Sequence, residues 1–289
     1  MRWEELREEE FYGAIEASKG VCVMPLGCLE MHGQHLPVGT DFMKIEHALH
    51  EAAKVEPVME FPAFKFGDVQ GLTQWKGSIR LTVELEQELL KQLCEEIARN
   101  GFKKIILLNS HGGNKAMVTN FVRSTMHDKK DYVVMSTLAG ARYGSPYYLM
   151  EVLEKEGREA LYELTDEDIE VARKFVEEKR SVGHACFGET ALIYGTRPEL
   201  VRMDRANAVD GLSTHEADFL YEVGMGDSTR FWGINYPNSY DGDVPVGCNE
   251  RFGKCAQRLL TQAVLRIIRA VKYDDGKILQ WNDRFNHAW

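Results

Sequence analysis

The strongest constraint on this chain is a pair of apolar hexapeptides that each run straight into a histidine-bearing loop. Residues 21–26 (VCVMPL) and 104–109 (KIILLN) are too short for helices and too continuously apolar for strands with one wet face. Residues 58–62 (VMEFP) and 131–137 (DYVVMST) are further strand candidates. Between them lie amphipathic stretches. Thr82 reads as an N-cap, with Leu85, Leu89, Leu93 and Ile97 at four-residue spacing and Gly101 closing the helix. Thr165 caps a second helix, whose first turn (Asp166, Glu167, Asp168) suits the positive helix end. A final helix is predicted over 249–271, with Phe252, Ala256, Leu259, Ala263 and Ile267 on one face. Buried strands alternating with helices imply a mainly parallel sheet covered on both faces. The charged stretch 150–180 reads as a solvated helical insertion. Residues 228–247, rich in Gly, Pro, Asn and Asp, read as a long ordered loop. No internal repeat or low-complexity tract is present. At 289 residues, one α/β domain spanning 1–289 is expected.

Ligands of open α/β sheets gather at the carboxyl ends of the strands. After the first apolar run comes Gly27-Cys28-Leu29-Glu30-Met31-His32-Gly33-Gln34-His35, and then Asp41. After the third strand comes Ser110-His111-Gly112-Gly113-Asn114. A further segment carries His184 and Glu189. Imidazole and carboxylate groups thus sit on loops in three places. That donor mix suits Zn²⁺, Mn²⁺ or Fe²⁺, and no cysteine cluster points to a structural zinc finger. Glu30 and His32, two apart, point the same way in extended chain. A bridging carboxylate such as Asp41 can hold two metals roughly 3.5–4 Å apart and leave a bridging water as nucleophile. Each motif also has a plainer use. Asp41 precedes a helical stretch and could be its cap; the HGGN run could be a turn or an anion nest. His47, His50, His127, His215 and His287 lack such context and read as structural or surface residues.

The run LGCLEMHGQHLPVGTD resembles the signature of the creatininase (creatinine amidohydrolase) family. SHGGN, the spacing from His184 to Glu189, and GDVPVGCNERFGK are similar to later family segments, in the same order. The likeness spans roughly residues 20 to 272. It implies a three-layer α/β/α fold, a pair of divalent metals (Zn²⁺ first, then Mn²⁺ or Fe²⁺), hydrolase activity and a homo-oligomer, often a hexamer. Carried over by position, Glu30, Asp41 and His111 resemble the ligands of one metal. His32 and the shared Asp41 resemble those of the second. In creatininase the remaining ligand is a glutamate at the position of Gly113; in members with HGGN it would be the later Glu189. His184 resembles the family's proton-transfer histidine. Creatininase has an aromatic residue at the position of Gly112, and many relatives have glycine and glutamate at Cys186 and Phe187. Both departures concern substrate. The resemblance implies an amidohydrolase of a small cyclic amide. A rival within the family cleaves a carbon–carbon bond of a keto-inositol, and a rival from another class is a non-catalytic metal-binding assembly protein.

Charge narrows the partners. With 35 basic and 45 acidic residues the net charge is −10, which argues against a grip on nucleic-acid phosphates. The acidic N-terminal stretch has no apolar core of a signal peptide, and no run is long enough to span a membrane. The six cysteines form no CxxC pair, and a buried, reduced Cys94 is expected. A small-molecule substrate and a reducing cytoplasm fit this pattern.

Overall fold

The computed structural model describes residues 1–69, 71, 73–127, 129–225 and 229–286, without the side chains of Thr229 and Arg230. His287 and residue 228 lie outside the described residues. The element order is α1 (Glu10–Ser18), β1 (Val21–Leu26), α2 (Thr40–Val55), β2 (Met59–Glu60), α3 (Val83–Arg99), β3 (Lys104–Asn109), α4 (Asn114–Ser124) and β4 (Val133–Leu138). Then follow α5 (Pro146–Glu156), α6 (Asp166–Glu177), α7 (Phe187–Thr196), α8 (Asp218–Glu222), α9 (Thr229–Asn235), α10 (Glu250–Lys272) and α11 (Lys277–Asn286). The four strands are parallel in the order β2-β1-β3-β4, with Val23 opposite Ile106 and Ile106 opposite Met135.

Strand alternation divides the core into two apolar layers. Val21, Val23, Ile106 and Leu108 face α2, α5, α6, α7 and α10. Cys22, Met24, Leu26, Ile105 and Leu107 face α1, α3 and α4. The arrangement is the three-layer α/β/α sandwich expected. Thr82 caps α3, its side chain accepting from the Leu85 amide at 3.3 Å. Thr165 and Asp168 form a reciprocal capping box on α6. Asn249 caps α10, and Phe252, Ala256, Leu259 and Ala263 are buried, while Ile267 is only partly covered and Ile268 takes the inner position.

Three expectations change. Only Met59 and Glu60 of 58–62 pair as a strand: the Phe61 amide still donates to the Val23 carbonyl at 2.9 Å, but Pro62 has no amide hydrogen with which to continue the ladder. The 150–180 stretch is no solvated insertion: Val152, Leu161, Leu164, Ile169, Ala172 and Phe175 join the larger core layer, and the charges occupy the outer faces. The 228–247 stretch contains α9 rather than being loop throughout.

The strand order fixes where a site can form. The chain passes from β1 to β2 on one side and then crosses to β3 on the other. The crevice beyond the carboxyl ends of β1 and β3 is therefore the point where connections diverge, the usual binding place of such sheets.

Candidate metal centre

That crevice is where the predicted residues meet. Leu26 and Asn109 end adjacent strands, and the Ser110 amide donates to the Leu26 carbonyl at 2.9 Å. The loop after β1 carries Glu30 and His32 inward. α2 then begins almost in contact with the strand end: a Cβ at Gly27 would lie 2.4 Å from the Phe42 nitrogen, so glycine is what admits the helix. Asp41 lies in the first turn of α2. The cap position belongs to Gly39, and no side chain caps the helix, which removes the N-cap use of Asp41. At β3, a Cβ on Gly113 would stand 2.4 Å from His111 Nε2, so the HGGN run gives the imidazole its space. Glu189 enters from the first turn of α7.

The distances define one buried cluster. Asp41 Oδ2 lies 3.0 Å from His111 Nδ1 and 3.7 Å from His32 Nε2. Glu30 Oε1 lies 3.2 Å from His111 Nδ1, 3.5 Å from His184 Nδ1 and 3.8 Å from His32 Nε2. Glu189 Oε2 lies 3.5 Å from His32 Nε2 and accepts the Ala185 amide at 2.7 Å. Two donor groups, each compact enough for one ion, share Asp41: Cys28, Glu30, Asp41 and His111, and His32, Asp41 and Glu189. A third grouping is Glu30, His32 and His184.

The imidazoles reveal what the cluster wants. His32 Nδ1 meets the Glu30 carbonyl at 3.2 Å, His111 Nε2 the Asp68 carbonyl at 2.7 Å, and His184 Nε2 the Met31 carbonyl at 2.7 Å. A carbonyl only accepts, so each of these nitrogens carries the hydrogen. In the neutral rings the opposite nitrogens present lone pairs, and all three aim at carboxylates. Lone pair against carboxylate is repulsive unless a cation lies between. Glu30 Oε1 and His32 Nε2 are buried without a hydrogen-bond partner among the described residues. Burial works against a charged His32, yet Glu189 and Asp41 overcome it and raise the ring to about 10. The carboxylates thus favour positive charge at His32, and an imidazole whose other nitrogen is fixed by a backbone carbonyl is the usual form of a metal-ligating histidine. The residues present fit a divalent metal.

Two groups here were not singled out in the sequence. Lys44, fully buried one turn after Asp41, donates to Asp41 Oδ1 at 2.7 Å and to Glu189 Oε1. Burial raises the Glu189 carboxyl, but the Lys44 ammonium more than reverses this and holds it well below the usual range. The i, i+3 spacing from Asp41 was the available signal, masked because an isolated helical lysine ordinarily faces water. Cys28 puts Sγ 3.1 Å from Asp41 Oδ2.

A cavity of about 830 Å³ opens beside the cluster, bordered by Ser110, Gly112, Arg142, His184, Trp232 and Asp241 among others. A Cβ at Gly112 would meet nothing within 4 Å, so the missing aromatic side chain leaves room. Trp232 Nε1 donates to Asp241 Oδ2 at 3.0 Å. Phe187 is not in this cavity: it is fully buried against Phe175 and Phe252, a packing role that removes it from substrate contact. His35 is structural too, bonded to Thr190 at 3.1 Å and pushed down to about 4 by burial and the nearby His32. His50 and His215 pair with Glu60 and Asp218 away from the cluster.

The structure thus defines an α/β/α sandwich whose β1–β3 crevice gathers carboxylates and imidazoles that could hold a metal. The profile of the creatininase family, described as creatinine amidohydrolase, matches residues 4–263, and the chain belongs to that family. The creatinine amidohydrolase of Pseudomonas putida is 23% identical over 119 residues, which cover 39% of this chain and 46% of that protein, under two thirds of its length. A solved creatinine amidohydrolase (creatininase) superposes with a TM-score of 0.63 at 19% identity, covering 93% of this chain and 96% of that one. A creatininase described as the manganese form gives 0.59 at 16% identity, covering 93% and 97%. A glutamate-to-glutamine creatininase variant described as zinc–zinc gives 0.60 at 16% identity, covering 93% and 96%.

Proposed function

We propose that this protein is a divalent-metal-dependent hydrolase, an amidohydrolase of a small cyclic amide. The observation that carries this reading is the convergence of three backbone-anchored imidazoles on buried carboxylates. In this reading Glu30, Asp41 and His111 hold one ion, and His32, Asp41 and Glu189 the other. The Zn–Zn and Mn forms of solved creatininases support either of these ions; we put Zn²⁺ first, and the imidazole–carboxylate donors also suit Fe²⁺. Bound there, two such ions would supply Lewis-acid polarisation of a carbonyl and a water acidified toward neutrality.

The remaining work falls to the chain. His184 is held by the Met31 carbonyl through Nε2, which leaves Nδ1 facing the cluster. Burial, then the charge of His32, lowers its proton affinity below that of an ordinary histidine. A neutral imidazole so placed takes a proton at Nδ1 and returns it to the leaving nitrogen. Glu189, tied to Lys44 and the Ala185 amide, stays ionised and orients the second ion's side of the crevice. Ser110 Oγ, buried without a partner among the described residues, borders the cavity and offers a donor to a bound oxygen.

The cavity wall favours a second reading. Ser110, Arg142 and Asp241 suit a polyhydroxy ring as well as an amide, as in carbon–carbon cleavage of a keto-inositol. We place the protein in the cytoplasm as a homo-oligomer built from a single 1–289 domain; no described helix is long and apolar enough to cross a membrane. The deciding experiment is a screen of the metal-loaded protein against creatinine, cyclic ureides, formamides and keto-inositols. Release of an amine or ammonia supports the first reading, and carbon–carbon cleavage without amine supports the second. No turnover of any of them by a protein that holds its metals would contradict the amidohydrolase assignment and favour a non-catalytic metal-binding role.

A further inference from the structure

We propose that Cys28 is a protein ligand of the first metal, beside Glu30, Asp41 and His111, so that this ion has four protein donors and its neighbour three. The proposal rests on the metal-centre reading above and deepens it. Cys28 follows Gly27 directly at the end of β1 and is fully buried. Its sulfur and one ligand atom each of Glu30, Asp41 and His111 all lie within 4.8 Å of one another. Among these atoms Sγ–Oδ2 is 3.1 Å, Nδ1–Oδ2 is 3.0 Å and Nδ1–Oε1 is 3.2 Å. Zinc bonds of ≈ 2.0–2.2 Å to nitrogen and oxygen and ≈ 2.3 Å to sulfur give tetrahedral edges of about 3.3–3.7 Å. These three separations stand slightly inside that size, and the other edges among the four donors are within 4.8 Å. Glu30 Oε1, one of the four, is buried without a hydrogen-bond partner among the described residues, which points independently to a cation there.

The other cysteines provide the contrast. Cys22 and Cys94 lie in one apolar layer, and Cys248 and Cys255 in the other. Cys186 belongs to none of the three metal-sized groupings. Among the described residues, Cys28 alone sits with three ligand-type atoms. Charge points the same way. Glu30, Asp41 and Glu189 oppose one ammonium, Lys44, so two divalent ions would leave a buried positive excess. A thiolate reduces it, and a metal-coordinated thiol gives up its proton outright.

The consequence is a division of labour. Four protein donors hold the first ion more firmly; the three donors His32, Asp41 and Glu189 leave the second more room for substrate. A thiolate also steers the first site toward Zn²⁺, Fe²⁺ or Co²⁺ and away from Mn²⁺. The opposing possibility is that Cys28 stays a neutral thiol donating to Asp41 Oδ2.

Cobalt titration separates the two. Metal-stripped protein is titrated with Co²⁺, watching the near-ultraviolet for thiolate-to-cobalt charge transfer and counting bound ions. We expect the band to grow with the first equivalent, to stop before the second, to persist in Cys186→Ser and to vanish in Cys28→Ser. The Cys28→Ser variant should also hold its first ion at least about 10–100-fold more weakly, the loss typical even of an outer-support residue. Unfolding midpoints in chelator verify that the variant is folded. Should Cys28→Ser fail to fold, wild-type protein still decides: a band from the first equivalent upholds the proposal. Two bound ions with no band would overturn it and leave the metal centre standing. No bound ion at all would overturn both.

Discussion

His184 and Asp41 show how little separates a ligand from its neighbours at the level of single side chains. Both face Glu30 or His111 and both border the cavity, yet Asp41 is shared by two metal-sized groupings while His184 belongs only to the third. His184→Ala is therefore expected to keep the metals while turnover falls by about 10²–10⁴-fold, the range of a lost general acid–base group. Elemental analysis and turnover on the same sample check this; a mutant that sheds metal would make His184 a ligand. Its lowered proton affinity also places the acid limb of the wild-type rate below pH 6.5, since protonation on the acid side removes the base. At this scale the sequence was informative where chemistry is rare. Glu30, His32, Asp41, His111, His184 and Glu189 all reach one crevice. Lys44 and Cys28 escaped notice because a helical lysine and a lone cysteine have commonplace uses, and only the fold brings them to Asp41. Trp232 and Asp241 come from a stretch whose packing no local pattern discloses.

The secondary-structure elements were legible where their ends carry side-chain signals. Thr82, Thr165 and Asn249 each mark a helix start that the structure reproduces. The 150–180 stretch was misread because tertiary burial outweighs local polarity: Ile169, Ala172 and Phe175 of α6 are core despite charged neighbours. Glu86, on the first turn of α3, is the opposite case, a fully buried carboxyl with neither oxygen bonded among the described residues. Burial, then the charge of Asp68, pushes it up to about 7 against a weaker pull from His111. The sign follows. A carboxyl whose folded value exceeds its unfolded value of 4.5 favours the fold while protonated, and that favour is lost as pH rises through about 7. Glu86→Gln, which keeps the shape and cannot ionise, is expected to unfold at higher temperature than wild type at pH 8. The gain should shrink by pH 5. Thermal unfolding of chelator-treated protein at both pH values checks this, and an equal effect at the two would contradict it.

At the scale of the whole molecule the fold was legible because two buried hexapeptides admit few alternatives to a covered parallel sheet. Assembly was not legible, since it depends on surface that only folding defines. α8 buries none of its residues, and Phe219 and Val223 remain 65% and 71% exposed, with Leu212 and Met225 exposed nearby. Such exposed apolar side chains are expected to be covered where copies of the chain associate as proposed. Light scattering should give about six times the 33.0 kDa chain mass, and Phe219→Asp should lower it. A wild-type mass of one chain would exclude the hexamer. The central claim, that the β1–β3 crevice is a shared two-metal centre, is met most directly by counting divalent ions per chain in wild type and in Asp41→Asn. Asparagine retains the polarity and size of Asp41 but offers one neutral oxygen and an amide donor, so it cannot bridge two cations alike. The account predicts close to two ions in saturated wild-type protein, the His32–Asp41–Glu189 ion weaker, and loss of at least one ion with nearly all activity in a normally folded Asp41→Asn. Two ions retained at near-normal turnover in that mutant, or no ion in wild type even after reloading, would contradict it.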